Sequence, residues 1–475
     1  MNSPIQVKTQ WKRLLADTIT PVSIYLRVRD LFPNSILLES ADYHNRDDSM
    51  SYICCDPVSS IILQNGVIRE KYPDGSLLQY NLEEGRLTEK LADFSKLFVE
   101  DPSLDFPFIT GGLFGYLSYD AVQYFENIKL HQALDSDRMV PEMVYSIYKY
   151  VIAIHHFNNE MVVFEHDFEN QEDRQHIGLD ELIYVIQNKS VSFFPFKTKG
   201  PEESNFVDSE FLERIAQVKT HVHRGDIFQM QLSRRFSQKF TGDEFNVYRS
   251  LRSINPSPYL FYFDFGNFKI MGSSPETQIL IQGDRARIHP IAGTFRRTGD
   301  MKEDATLAEK LKNDPKENSE HVMLVDLARN DLSRHCTQVG VDVYKDVEFY
   351  SHVVHLVSRV SGKIRHQSEI LNIVADTFPA GTLTGAPKYR AMELIDQYEK
   401  GARGIYGGAI GYLTFGGEFN HAILIRSFLS KNSILYYQAA CGIVADSVLQ
   451  NELEEVGNKL RALKKALILA ETLGA

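Results

Sequence analysis

The sequence predicts a mixed α+β body rather than a doubly wound parallel sheet. Its strand-like runs come in groups, its helical runs fall between the groups, and no GxGxxG or GxxxxGK[ST] loop follows a strand. Before residue 197, Tyr145–Ile154 and Met161–Glu165 are apolar stretches of strand character. Glu210–His223 reads as an amphipathic helix stopped near Gly225, and Ile227–Leu232 as the strand after it. Tyr259–Phe265, Thr277–Ile281, Ala409–Phe415 and Ile434–Ala440 read as further strands; Pro315–Asn330, Tyr389–Glu399 and Glu452–Thr472 read as helices. Lys197–Asp208 is polar, contains Gly200, Pro201 and Ser204, and reads as a linker.

A chain of 475 residues allows two or three domains and a large core. Its net charge of −12 argues against a nucleic-acid footprint, yet leaves room for an anionic small molecule in a local cationic pocket. The four cysteines, Cys54, Cys55, Cys336 and Cys441, have no zinc-binding spacing. With no apolar leader and no membrane-length apolar run, they lead us to expect a soluble cytoplasmic protein.

Five groups of residues carry chemistry. Asp314-Pro315-Lys316-Glu317 has the form of a helix N-terminus, and Glu317 and Glu320 share one face of that helix. They are either capping and solvated acids or a pair of oxygen ligands. Glu452 and Glu455 repeat the spacing at a second helix start, where the helix dipole alone would favour acids. Gly272-Ser273-Ser274-Pro275-Glu276 and Pro290-Ile291-Ala292-Gly293-Thr294 are turns after strands, and Glu276 suits a carboxyl of raised pKa. Gly381–Lys388 opens a helix with glycines and can present N–H groups to an anion. Finally, His355 lies in an apolar stretch, while Arg426 ends an apolar strand and needs an anionic partner.

Taken in order, GDIFQMQLSRR, NPSPYLF, GSSPE, PIAGT, EHVMLVDLARNDLSR, YSHVVHLVSRV, GTLTGAPK, YGGAIGY and GIVADS resemble the motifs of the chorismate-utilising enzymes, most closely the anthranilate synthase large subunits. The N-terminal half adds LLESAD and GGLFGYLSYD. The resemblance implies an α/β sandwich of two large, mostly antiparallel sheets with helices outside. Its N-terminal part (1–196) and chorismate-binding catalytic part (205–470) would interleave in one body. It implies Mg²⁺ held by Glu317, Glu320, Glu452 and Glu455, some through water. Glu276 would be the acid that protonates the leaving 4-hydroxyl, and His355 would serve the later loss of pyruvate. Gly293, Thr294, Thr382, Tyr406, Arg426, Gly442 and Lys459 would hold the substrate.

Two positions bear on mechanism. Relatives that add water carry a lysine base where this chain has Gln229, and aminodeoxychorismate synthases usually carry a lysine nucleophile where it has Ala292. The implied reaction is therefore amination of chorismate at C2, loss of the 4-hydroxyl and elimination of pyruvate to give anthranilate. No amidotransferase-like cysteine site is visible, so the resemblance implies a separate glutamine amidotransferase subunit. Leu38, Glu39, Ser40, Asn255, Pro258, Tyr259 and Leu260 match the family's tryptophan feedback site, with leucine in place of methionine at 260. The alternatives are an aminodeoxychorismate synthase component I and a non-catalytic tryptophan-binding homologue. Phe295-Arg296-Arg297, Asn420-His421 and Cys441 depart from the family pattern.

Overall fold

The computed structural model describes residues 4–40, 49–83, 86–171, 177–349, 353–366 and 370–473, and only the backbone of Thr294, Arg296, Lys316 and Val353. Ala41 and Asp42 of the LLESAD motif, and Tyr350, Ser351 and His352 of YSHVVHL, lie outside the described residues.

Met143–His155 is the hub of the sheet structure. It is buried at every position except the last, as expected of a strand covered on both faces. One of its edges pairs with Met50–Gln64; the other is shared between Gly112–Leu117 and Glu160–Phe168. Two antiparallel arms grow from this hub. The first runs through Met50–Gln64, Ile36–Glu39, Tyr259–Asp264, Phe268–Ser274, Ser427–Lys431, Ile434–Ile443 and Gln229–Gly242 to Phe196–Ser204. The second runs through Gly112–Leu117, Ala409–Thr414, Phe419–Ile423, Thr277–Gln282, Arg285–Ile288 and Val353–Ile364 to Cys336–Phe349. Among the described residues the pairings are antiparallel except that of Ile5–Leu15 with Phe98–Glu100.

The arms pack face to face. Ile36, Phe261, Phe263 and Ile270 of the first share an apolar cluster with Phe114, Tyr116, Ile410 and Ala422 of the second. The helices cover the outside: Val456, Leu460, Leu463 and Leu467 of the helix Leu449–Ala470 join the larger core with Tyr248 and Leu251 of Phe245–Ile254. Strands from before residue 197 and after residue 205 hydrogen-bond directly, as in Ile36–Glu39 with Tyr259–Asp264.

One expectation fails. The polar segment expected to be a linker is largely strand: Phe196–Ser204 pairs with Phe236–Gly242 across an irregularity between Lys199 and Glu203. It is an exposed end strand, so nothing requires apolar residues on its outer side. Elsewhere the elements lie close to the expected ones. The helix Asp208–Arg224 ends at Gly225, whose φ of 80° is left-handed. The helix Pro315–Ser333 begins with Glu317 N–H donating to Asp314 Oδ1 at 3.0 Å.

Candidate active site

Glu276 sits in the turn between the strands Phe268–Ser274 and Thr277–Gln282, which belong to different arms. Its backbone carbonyl accepts a hydrogen bond from Ile423 N at 3.0 Å, which ties the turn to a neighbouring strand. The side chain is almost fully buried, and burial pushes its carboxyl up to about 7 against the opposing pull of Thr382 and Lys459. The Thr382 hydroxyl is itself buried and completes no hydrogen bond of normal geometry. Glu276 and Thr382 line a cavity together with Leu324 and Leu327 of the helix that carries Glu317 and Glu320.

Lys459 acts on this carboxyl, and Arg426 is tied to Lys459 in turn. Lys459 Nζ donates to Ala440 O at 2.8 Å and pairs with Glu455 at 2.7 Å, one helical turn away. Arg426 donates through Nη1 to the Lys459 carbonyl and adopts a left-handed φ of 51°, an unusual conformation for a long side chain. Its burial lowers its pKa, opposed by Tyr406 and Glu455. Tyr406 is buried as well, and burial raises its hydroxyl pKa while Arg403 and Arg426 oppose the rise. Gly442 pairs with Gln231; a Cβ there would stand 2.8 Å from Gln229 Nε2 and 3.0 Å from Gln231 Nε2. Glycine at 442 leaves that space open.

The second half of the site is built on a bulge. The strand Ile291–Arg296 loses register between Ala292 and Thr294, and Gly293 takes a φ of 66°. His355 Nδ1–H donates to the Gly293 carbonyl at 2.8 Å, which fixes the tautomer and makes Nε2 the basic nitrogen. Burial, reinforced by Arg426, lowers the His355 pKa, so the ring is neutral near pH 7. A Cβ at Gly293 would meet Leu311 Cδ1 at 2.5 Å and Glu317 Oε2 at 3.1 Å. Glu317 thus lies against the same bulge that His355 grips. The Thr294 side chain is outside the described residues.

Glu452 is deeply buried, and with Glu455 and Lys459 it acts electrostatically on Cys441, the neighbour of Gly442. Among the described residues no three His, Cys, Asp or Glu side chains gather closely enough to cage a metal ion. The donor set nevertheless suits Mg²⁺, a hard cation that takes one or two carboxylates and completes its shell with water and substrate oxygens. Glu317 beside Gly293 and Glu455 beside Lys459 supply such oxygens next to the groups already described.

The residues matching the feedback motif also meet. Glu39 pairs with Leu260 and Leu38 with Phe261 across adjacent strands. The Glu39 carboxylate is buried and accepts from Tyr248 Oη at 2.5 Å and from Arg252 Nε at 2.8 Å. Ser40 N–H donates to Met50 O at 3.1 Å, and Asn255 Nδ2 donates to Ser273 Oγ at 3.2 Å. Pro258 is half-buried and Leu260 fully so. The Tyr259 hydroxyl meets Thr277 Oγ1 at 2.8 Å and donates to Asn420 Oδ1 at 3.1 Å, which places this cluster one residue from Glu276.

Sequence reasoning missed the Arg403–Glu399 pair. Arg403 donates through Nε and Nη2 to Glu399 at 3.0 and 2.7 Å and through Nη1 to Leu383 O at 2.7 Å, and it lies 5.7 Å from the Tyr406 ring. The only signal was a charge inside the glycine-rich run GARGIYGG. The departures from the family pattern have local accounts. Asn420 bonds Tyr259, His421 stacks on Phe419 at 3.8 Å, Arg297 Nε donates to Asp304 at 2.8 Å, and Cys441 is a buried thiol.

A model of the chorismate-binding enzymes matches residues 34–465, and the chain belongs to that family; it is an enzyme that acts on chorismate. It is 36% identical over 474 residues to anthranilate synthase component 1 of Aquifex aeolicus, covering 97% of this chain and 94% of that one. It is also 36% identical over 470 residues to the component 1 of Lactococcus lactis, covering 96% and 98%. Anthranilate synthase component I of Streptococcus pneumoniae superposes with a TM-score of 0.72 at 29% identity, covering 95% of this chain and 99% of that chain. The menaquinone-specific isochorismate synthase of Escherichia coli shares the fold at a TM-score of 0.73 and 16% identity, covering 98% and 95%. No helix among the described residues is long and apolar enough to cross a membrane.

Proposed function

We propose that the chain is the large subunit of an anthranilate synthase, with the product-forming chemistry centred on Glu276. The observation that carries this reading is a buried carboxyl, half-protonated near pH 7, set beside Thr382 and Lys459, whose carbonyl Arg426 binds. The 4-hydroxyl of chorismate is a poor leaving group, and a protonated Glu276 delivers the proton that lets it depart as water. Arg426, Lys459 and the Gly442 backbone hold the anionic substrate against that acid. Gln229 cannot deprotonate an attacking water, whereas ammonia attacks C2 without a base. The neutral His355 then takes a proton through Nε2 as pyruvate leaves and the ring becomes aromatic.

Glu317, Glu320, Glu452 and Glu455 are the groups that would hold Mg²⁺, and the ion would supply a Lewis acid for the ring carboxylate. Ammonia would come from a glutamine amidotransferase subunit, as the component 1 naming of the relatives suggests. Tryptophan would bind beside Glu39, Ser40 and Tyr259 as a feedback inhibitor, and the protein would work in the cytoplasm. Purified chain given chorismate, Mg²⁺ and an ammonium salt should yield a fluorescent product identical to anthranilate by chromatography. Aminodeoxychorismate or isochorismate as the main product would move the chain to a sibling activity. Tight tryptophan binding with no turnover in the presence of the amidotransferase would make it a regulatory homologue.

A further inference from the structure

Arg403 follows the helix Lys388–Tyr398 and stands four residues after Glu399. Both side chains are almost fully buried, and they close an ion pair at 2.7 Å. A stable core does not require such a pair, because apolar residues of similar volume commonly serve as well or better. What a buried guanidinium adds is a rigid, planar fork that meets several acceptors at once.

The three acceptors of this fork come from three pieces of the chain. Nη1 donates to Leu383 O at 2.7 Å and Nη2 to Gln231 O at 2.8 Å. Nε and Nη2 close on Glu399, whose Oε1 also accepts from Ser233 N at 2.8 Å. Gln231 N–H donates in turn to Thr384 O at 2.8 Å. The two residues after Thr382 are therefore both tied to Gln231, Leu383 by way of Arg403 and Thr384 directly. The Leu383 side chain packs with Tyr406 in one buried cluster. Behind the fork, the N-terminal part of the chain holds the next residue: Tyr119 N–H donates to Gly404 O at 2.8 Å, and Asp120 Oδ2 accepts from Gly404 N–H at 2.9 Å.

Thr382 directly precedes the anchored Leu383, and its hydroxyl pulls the Glu276 carboxyl down against burial. Arg403 and Glu399 are a closed pair whose charges largely cancel beyond their own surroundings, so what they pass on is position. We propose that Arg403 is a positioning residue for the proton donor: its fork anchors Leu383 to Gln231 and so holds the Thr382 hydroxyl beside Glu276. This role rests on the reading of Glu276 as the acid. The other charged groups near that carboxyl are Lys459, from the helix Leu449–Ala470, and Asp331, in the lining of the shared cavity. Each has its own partner, Glu455 at 2.7 Å and Lys388 at 3.0 Å, and neither depends on Arg403.

The test needs no chorismate. Urea midpoints of the full chain and its Glu276→Gln variant give a stability gap that widens with pH until native Glu276 has lost its proton, and is flat above that point. The break should fall at about pH 7 in the wild type. Arg403→Lys keeps the charge but cannot span Glu399, Leu383 and Gln231 together, and should move the break upward by about one pH unit, the order of one hydrogen bond to a charged group. Thr382→Val, which removes the hydroxyl at nearly constant shape, should move the break as far, and the two changes together no further. If Arg403→Lys fails to fold, Arg403→Met with Glu399→Leu removes both charges at once, strands neither, and is read in the same way. A wild-type break that stays put in the Arg403 variant, whatever stability is lost, makes the pair merely structural and overturns the proposal. Shifts that add in the double variant overturn it too, because Arg403 would then act by a route other than Thr382. A wild-type gap already flat from about pH 5 upward sinks the acid reading itself, and the proposal with it.

Discussion

Glu39 and Glu276 are two buried glutamates on either side of one short contact between Tyr259 and Thr277, and their surroundings differ sharply. Glu39 receives a phenol and a guanidinium in hydrogen bonds of 2.5 to 3.0 Å. Glu276 has only the Thr382 hydroxyl and an ammonium that is engaged elsewhere to offset its burial, and its carboxyl rises to about 7. A buried acid whose oxygens are saturated with donors is held in one place, and a binding site can be arranged around it. A buried acid left short of donors keeps its proton and can give it away.

The largest expected effect is on the starved acid. Glu276→Gln removes the transferable proton at nearly constant shape, and kcat for chorismate consumption should fall by ~10²–10⁴-fold with KM little changed. Loss of less than tenfold in a steady-state assay would break the contrast. Arg426→Ala should act on binding instead, raising KM for chorismate by ~10–100-fold through loss of a charge-assisted contact. For the saturated acid, Glu39→Ala strands the Tyr248 hydroxyl and costs about 2–3 kcal/mol in urea unfolding. The same variant should abolish tryptophan inhibition while uninhibited kcat stays within a few-fold.

The pH dependence sharpens the comparison further. Native Glu276 keeps its proton up to about pH 7, whereas the unfolded chain releases it near the ordinary value of 4.5. Across that window the native state binds more protons, so this group's contribution to stability falls as pH rises and is fully lost above 7. Glu276→Gln should therefore match the wild type at pH 4 and exceed it at pH 8 by about 3 kcal/mol, read from urea midpoints. The smallest effect belongs to Gly442→Ala. Its new methyl meets only the mobile end of Gln229 and Gln231, so chorismate KM should rise about threefold with stability unchanged.

Much of the architecture was legible because the apolar runs are long. Met143–His155 extends the expected Tyr145–Ile154 by two residues at its start and one at its end, and the helices at Pro315 and Leu449 begin within three residues of where acids and Pro315 marked them. Phe196–Ser204 escaped because a solvent-facing end strand needs no apolar alternation. The site's acids and Arg426 were legible as motifs. Arg403 with Glu399 was not, because its meaning arises from the packing that brings Leu383 and Gln231 to one guanidinium. Local sequence carries no trace of that proximity.

The Ile36–Glu39 strand also sets a limit on dissection. It fills the slot between Tyr259–Asp264 and Met50–Gln64, so cutting the gene before residue 205 would strip a partner from the middle of an apolar layer. The severed piece would expose an unsatisfied ladder of peptide groups flanked by Phe261 and Phe263, a ready template for fibril-like self-association. Anyone seeking a minimal catalyst from this polypeptide should shorten its exposed loops and leave both halves covalently joined.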